Sequence, residues 1–410
     1  MQAGPAKLPE LGLSRAEIFA DLERRKYDDV RAHWSRAFRG PADVQEVGIA
    51  AYNMFLSDNG LFALRVDHLR VMEEQVIEMA LGLFHSPPDA SGTFTSGGSE
   101  SIYSALHAIR EWAKESFPGV QRPRILAPYS AHPSFSKGCH YYGLELTRVP
   151  LGPDLRADPA AMSAAVDERT VAIVGSAPCW PYGMYDPIEA LGKIAAGHGL
   201  WMHVDACVGG YLAPFVSELG HTLPPWDFGV PAVKSISADL HKYGYCPKPA
   251  STVLWRSEEL KRFHHVHPDD WPGGPYKMQG IAGSRSAGPV FAAWAVMRYL
   301  GRDGYLRLAR HVWAARERLL EEIRAIPGLQ PLASDLLPMA FGSQTLDMQR
   351  VMGELRKEGW ILVGAAEPPL INIPIDAAVD ERVIATFLAD LRQAAARAAS
   401  SESESADLNY

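Results

Sequence analysis

Residues 171–206 read VAIVGSAPCWPYGMYDPIEALGKIAAGHGLWMHVDA. Two short apolar runs, Val171–Ser176 and Trp201–Ala206, flank a stretch at Ile188–Gly197 whose apolar residues recur at helical spacing. Apolar runs of this length, bounded by Gly and Pro, read as strands buried on both faces, and a helix between them makes them parallel. Working outward, the same alternation continues through candidate strands Arg124–Pro128, Glu145–Val149, Ser235–Ala238 and Thr252–Trp255, with a helix at Glu100–Glu115. The spacing predicts an α/β protein whose large domain is a doubly wound, mostly parallel sheet. Ligands of such sheets bind beyond the carboxyl ends of the strands.

The flanks read differently. Residues 1–66 form a helical arm without turn-bounded β runs. An amphipathic helix follows at Asp67–Phe84, with Leu69, Met72, Val76, Met79 and Leu83 on one face, and Pro87 and Pro88 end it. After Pro289 come helices at Val290–Leu300 and Tyr305–Ile326. A smaller unit then runs helix Asp347–Glu358, apolar Trp360–Val363 and Leu370–Pro374, helix Glu381–Ala396. The expected organisation is an N-terminal arm (1–66), a large domain (67–290), a small C-terminal α/β domain (291–396) and a disordered acidic tail (397–410).

Composition narrows the function. Lys and Arg number 40 against 48 Asp and Glu, giving a net charge of -8 and no basic excess to neutralise a phosphate backbone. Nucleic acid is therefore not an expected partner. Four well-separated cysteines (Cys139, Cys179, Cys207, Cys246) make neither a disulfide framework nor a zinc ribbon. The first 26 residues lack the apolar run of a signal peptide, and no uncharged stretch reaches membrane-spanning length unbroken by Pro and Gly. A cytoplasmic protein without a membrane anchor is expected.

Four features fall at strand ends or helix starts. Thr95-Ser96-Gly97-Gly98-Ser99-Glu100-Ser101 runs into a helix, where free N–H groups and the dipole favour an anion. Taken alone it reads slightly better as a Ser-rich capping turn, and it is neither a Walker A loop nor GxGxxG. Asp205 closes the strand Trp201–Ala206, where an unpaired carboxylate costs several kcal/mol; a structural salt bridge is the commoner outcome for one Asp. Lys242, after the strand Ser235–Ala238 and beside His241, suits a Schiff-base lysine, although a lone loop Lys is usually solvated. His132 follows the strand Arg124–Pro128 and could stack on a flat ligand or cap the next helix. His264, His265 and His267 lie in a polar loop without metal-ligand spacing, so no metal is expected. Together the four features meet the needs of pyridoxal phosphate: a phosphate cradle, a partner for the pyridine nitrogen, an amine and a stacking ring.

The stretches TSGGSES (95–101), SAHPSF (130–135), GSAPCWPYGMYDPI (175–188), HVDACVGG (203–210), SISADLHKYGYCPK (235–248), WPGGPY (271–276) and AGSR (282–285) resemble, in order and spelling, the group II pyridoxal-phosphate decarboxylase superfamily. The likeness is greatest to its sphingosine-1-phosphate lyase branch, and GELRKEGW (353–360) continues it. The resemblance implies the aspartate-aminotransferase-like fold type I, a homodimer, and a small amine or amino-acid substrate. It implies Lys242 as the Schiff-base lysine, Asp205 as the pyridine partner and His132 as the stacking ring. Gly97, Gly98 and Ser99, with Ser237 and His241, would hold the cofactor phosphate; Gly283 and Ser284 would reach the neighbouring subunit's cofactor.

The sequence also departs from that branch. Phe38 and Phe62 stand where the branch carries a Tyr and a His that contact the substrate phosphate, while Lys248 retains the lysine of that site. KMQGI (277–281) replaces the branch's small residues. The implied activity is a carbon–carbon lyase cleaving Cα–Cβ of an amino-alcohol-type substrate, with amino-acid decarboxylation as the alternative. A phosphate-binding α/β protein without amine chemistry is the reading from a different class. Two Phe residues beside a dianion leave it short of partners, so sphingosine 1-phosphate is not the expected preferred substrate.

Overall fold

The computed structural model describes residues 11–26, 29–36, 38–62 and 67–400. Helix α1 (Arg15–Arg24) is closed by a capping box between Ser14 and Glu17. A 3-10 segment (Val30–Arg36), helix α2 (Ala42–Met54) and a 3-10 turn (Gly60–Phe62) follow, and α3 spans Asp67–Leu83. Helix α1 buries none of its residues, leaving Ile18, Phe19 and Leu22 exposed.

The next elements alternate: β1 (Ser91–Thr95), α4 (Gly98–Ser116), β2 (Arg124–Pro128), α5 (Ser134–Tyr142), β3 (Glu145–Val149), α6 (Pro159–Ala164) and β4 (Thr170–Ser176). Then come α7 (Ile188–Gly197), β5 (Trp201–Asp205), α8 (Ala213–Glu218), β6 (Val233–Ala238) and β7 (Ser251–Trp255). These seven strands make one sheet in the order β1-β7-β6-β5-β4-β2-β3. Strands β6, β5, β4, β2 and β3 are parallel, while β7 runs against both β6 and β1. Strand β1 therefore points the same way as the parallel set, and its carboxyl end joins theirs at one edge. Every residue of β4 and β5 is buried, as their apolar spelling requires.

The remaining elements are α9 (Glu258–Lys261), α10 (Gly288–Arg324), β8 (Gln330–Pro331), β9 (Met339–Gly342), α11 (Met348–Lys357), β10 (Val363–Ala366), β11 (Pro369–Ile373) and α12 (Glu381–Ala399). Strands β10-β11-β9-β8 form a second, antiparallel sheet. The two helices expected after Pro289 meet end to end within α10, broken at Gly301, whose φ of 54° is left-handed.

Several expectations need correcting. The apolar run expected at Trp360–Val363 is strand only from Val363 onward. Trp360 is instead buried against Trp34 and Phe387, with its indole N–H donating to Asp390 at 2.9 Å. Helix α12 continues past Ala396 to Ala399, so residues 397–399 are helical rather than disordered, and 401–410 lie outside the described residues. Strand β5 ends at Asp205, one residue short of the expected run.

Candidate active site

Strand β1 delivers the chain directly into the glycine-rich segment. Gly97 caps α4 without a side-chain bond, leaving the first N–H groups of the helix unclaimed by a cap. Gly98 is a close-approach position: a Cβ there would stand 2.7 Å from Cys207 Sγ and 2.9 Å from Asp239 Oδ2. A serine chain anchors the segment from below. Thr95 Oγ1 pairs with Ser101 Oγ at 2.6 Å, and Ser101 Oγ pairs with Ser251 Oγ on β7 at 2.9 Å.

His132, in the turn after β2, is tied to the same segment. Ser99 Oγ meets Ser134 Oγ at 2.8 Å, and Ser134 Oγ meets His132 Nδ1 at 2.9 Å. The Ser134 backbone N–H also donates to His132 Nδ1 at 3.2 Å, so Nδ1 carries no proton and the ring is the neutral Nε2–H tautomer. Burial lowers the imidazole's proton affinity further.

Asp205 ends β5 at the head of a buried polar column. Trp201 Nε1–H donates to Ser235 Oγ at 2.8 Å, and Ser235 Oγ meets His203 Nδ1 at 2.8 Å. Asp205 only accepts, so Ser237 gives its one proton to Oδ1 at 3.3 Å and takes the His203 Nε2–H, 3.4 Å away, which leaves the neutral ring's Nδ1 to accept from Ser235. Burial pulls the His203 pKa down to about 4, consistent with that neutral form. The Cys207 backbone N–H completes the set on Asp205 at 3.1 Å. The carboxylate is hydrogen-bonded, yet it faces the cavity without a salt-bridge partner among the described residues.

Lys242 lies in the turn after β6, its Nζ 3.0 Å from Asp239 Oδ2. Burial works against the ammonium, but the carboxylates of Asp239, foremost, and Asp205 outweigh it and hold the amine above its ordinary value. His241 Nε2 stands 3.5 Å from the same carboxylate.

These groups line one cavity of about 1080 Å³. Gly97, Gly98, Ser99, His132, Asp205, His241, Lys242 and Phe38 all contribute to its wall. Phe38, at a left-handed φ of 70°, packs edge-on against Tyr243 at 5.1 Å, with Lys242 Nζ 6.0 Å from its ring centre. The other expected site residues do not line it. Ser237 sits behind Asp205; Lys248 is exposed and couples electrostatically to Asp376, Lys242 and Asp239. Gly283 and Ser284 are exposed, with Ser284 Oγ accepting from Asn59 Nδ2 at 3.2 Å. Phe62 ends the 3-10 turn, and its side chain lies outside the described residues.

Sequence reasoning missed several wall residues. Asp239 is 2% exposed beneath Gly98, and Ser176 at the end of β4 is buried with its hydroxyl unpaired. Arg148, on β3, gives its N–H groups to the Tyr129 and Ala131 carbonyls and to Ser136 Oγ, not to a carboxylate. Trp180, Tyr182 and the strip Val363–Glu367 close the cavity from the second sheet's side, with Tyr182 Oη donating to the Glu367 carbonyl at 2.5 Å. Only the Tyr182 side of that contact was within a motif visible in the sequence.

An open α/β sheet that gathers an amine, a carboxylate, a neutral imidazole and a glycine-rich helix start around one cavity suits a phosphorylated aromatic aldehyde. Pyridoxal phosphate matches the donor set. Gly98 leaves room that a Cβ would fill, the unpaired Ser176 hydroxyl offers a hydrogen bond, and Asp205 can meet a ring nitrogen. The comparisons agree. The model of the pyridoxal-dependent decarboxylase conserved domain matches residues 63–330. A sphingosine-1-phosphate lyase of Arabidopsis thaliana is 39% identical over 401 residues, covering 94% of this chain and 73% of that protein. The solved sphingosine-1-phosphate lyase of Burkholderia pseudomallei superimposes with a TM-score of 0.91 at 34% identity, over 97% of this chain and 94% of that one. An L-aspartate/L-glutamate decarboxylase of Pyrococcus horikoshii is 30% identical over 94% of this chain and 99% of its own. The chain belongs to the pyridoxal-dependent decarboxylase family. It is a pyridoxal-phosphate-dependent lyase of fold type I. Among the described residues no helix is long and apolar enough to cross a membrane, and no group of His, Cys, Asp and Glu could hold a metal.

Proposed function

We propose that the protein cleaves the Cα–Cβ bond of a small amino-alcohol-type substrate, releasing an aldehyde and an amine. The observation that carries this reading is the convergence of Lys242, Asp205, His132 and the Gly97-Gly98-Ser99 segment on one cavity. The similarity to sphingosine-1-phosphate lyases over most of the chain supports Cα–Cβ cleavage in particular.

Pyridoxal phosphate, when bound, supplies an electron-poor ring that accepts the electron pair of the broken bond. The chain's own residues do the rest. The N–H groups of Gly98 and Ser99 at the start of α4, with His241, would hold the phosphate. Asp205, oriented by Ser237 and the Cys207 N–H, would keep a proton on the ring nitrogen through a charge-assisted hydrogen bond. His132, neutral and on the cavity wall, would pack against the ring. Lys242 would carry the cofactor, and its amine on the cavity floor would be placed to move a proton. Phe38, Trp180 and Tyr182 exclude water from the reacting centre.

The substrate's other end is read from the wall. Phe38 brings an aromatic ring where a phosphate would need donors, and Lys248 stands outside the cavity, whereas Arg148 lines it. A short polar amine or amino acid therefore fits better than a phosphorylated long-chain base. Decarboxylation of an amino acid is the second reading, favoured by the likeness to the aspartate/glutamate decarboxylase over nearly its whole length. The exposed apolar residues of α1 and the exposed Gly283 and Ser284 support a homodimer with a shared site. The protein acts in the cytoplasm, with an arm at 1–66, a large domain at 67–290 and a small domain at 291–396.

Steady-state kinetics test the substrate reading. Short amino acids and amino alcohols are compared with phosphorylated long-chain bases, following aldehyde and carbon dioxide, in the parent and in Phe38→Tyr with Phe62→His. The short substrates should be preferred, and the double variant should gain on the phosphorylated base. Efficient cleavage of the phosphorylated base by the parent, unchanged in the double variant, would overturn it.

A further inference from the structure

One buried carboxylate beside the reactive lysine has no task in the reading above. Asp239 is 2% exposed, and every oxygen is claimed: Oδ2 lies 3.0 Å from Lys242 Nζ and 3.5 Å from His241 Nε2, while Oδ1 accepts from Ser251 Oγ at 2.5 Å. A carboxylate so stripped of water needs a cation at contact distance. His241 does not supply one. Its Nδ1 accepts the Ala250 N–H at 3.1 Å and so holds no proton, and burial further disfavours the charged ring. The positive charge is that of Lys242.

The other groups around the amine do not replace this partner. Asp205 faces it from the end of β5 and Cys207 from the loop that follows. The Asp205 charge is occupied by Ser237 and the Cys207 N–H, and burial keeps the Cys207 thiol protonated. His132, neutral, stands on the loop after β2, and Lys248 on the lysine's own loop adds a like charge. Arg148 and Glu367 belong to the cavity wall, and Phe38 offers only a ring face. Ser251, reaching up from β7, fixes the Asp239 carboxylate so that one oxygen is left for the lysine.

We propose that Asp239 is a positioning residue that holds the Lys242 amine protonated on the cavity floor and so sets the pH at which the lysine becomes a free nucleophile. The step it governs is the loss of one proton from the Lys242 ammonium to solvent, which frees the nitrogen lone pair. This rests on the reading that Lys242 carries the cofactor. Burial lowers the amine's proton affinity, and Asp239 is foremost among the groups that reverse it. The carboxylate in turn stays ionised although buried, because Lys242 opposes its desolvation.

The test uses full-length protein freed of cofactor and shown to be folded by circular dichroism. Acetic anhydride labels Lys242 across a pH series, and mass spectrometry of its peptide gives the midpoint of reactivity. In Asp239→Asn the midpoint should fall by about one unit or more, so labelling below it becomes about tenfold faster. Asp239→Glu, which keeps the charge, should return most of that shift. An Asn variant whose midpoint moves by less than about 0.3 unit overturns the proposal. Should Asp239→Asn fail to fold, Asp205→Asn decides: a fall under about half a unit supports Asp239 as the dominant partner, and a larger fall overturns it. The labelling involves no cofactor, so its failure is distinct from a failure to find cofactor attached to Lys242.

Discussion

Ser237 and Asp205 face each other in register on neighbouring parallel strands, with the serine hydroxyl 3.3 Å from the carboxylate. The pairing occupies Oδ1 and leaves Oδ2 for a ligand, and because a carboxylate only accepts, it fixes the donor direction along the column back through Ser237 to His203. The orientation of the Asp205 carboxylate thus depends on side chains, His203 and Ser237, that do not line the cavity.

Asp205→Asn should keep the fold and part of the cofactor affinity but lower kcat by at least about tenfold, or 1.4 kcal/mol, since an amide cannot stabilise a protonated ring nitrogen. Ser237→Ala should cost less, about 1 kcal/mol, by removing one hydrogen bond from the carboxylate. A rate for Asp205→Asn within a few-fold of the parent would make that carboxylate structural.

Gly98→Ala should weaken cofactor binding by about tenfold or more. The added methyl would meet Cys207 Sγ at 2.7 Å and Asp239 Oδ2 at 2.9 Å, whereas at Gly97 its nearest neighbour is His241 Cε1 at 3.3 Å. Titration of the cofactor-free variants should therefore rank Gly98→Ala well below Gly97→Ala. Equal affinities would mean that the segment shifts freely and is no cradle.

Stability should fall in acid partly through His203. Its folded pKa is depressed from 6.5 to about 4, so between those values the unfolded chain binds a proton that the folded chain refuses. Protons then favour unfolding: the contribution is intact above 6.5 and is lost as pH falls toward 4. Urea denaturation at about pH 7 and about pH 5 should show a drop that His203→Gln reduces by up to about 2 kcal/mol. An undiminished drop would assign acid sensitivity to other groups.

A shared site should reassemble from two dead subunits. Lys242→Ala and Ser284→Trp are each expected to be inactive, and their mixture should regain part of the activity in heterodimers carrying one intact site. Subunit exchange shown by mass without any recovery would mean that each chain completes its own site.

The central strands and Asp205 were legible because burial on both faces imposes continuous apolar spelling, and a carboxylate closing such a run stands out. Strand β1, SGTFT, was not, because small polar residues in a run of five give no periodicity; its place is set by pairing with β7, far along the chain. Trp360 misled for the opposite reason, since an aromatic beside Ile and Leu reads as strand while its partners Trp34 and Phe387 come from the arm and α12. Asp239 was in plain view beside Lys242, but a loop carboxylate reads as solvated until Ser251 buries it. The strip Val363–Glu367 could not be assigned to the cavity because only the packing of two sheets brings it there.

The account stands most directly on which lysine holds the cofactor. Protein loaded with pyridoxal phosphate is reduced with borohydride, digested, and the adduct located by mass spectrometry in the parent and in Lys242→Ala. The account predicts the adduct on Lys242 in the parent and none in the variant. An adduct on a different lysine in the parent, or one that persists unchanged in Lys242→Ala, would contradict it.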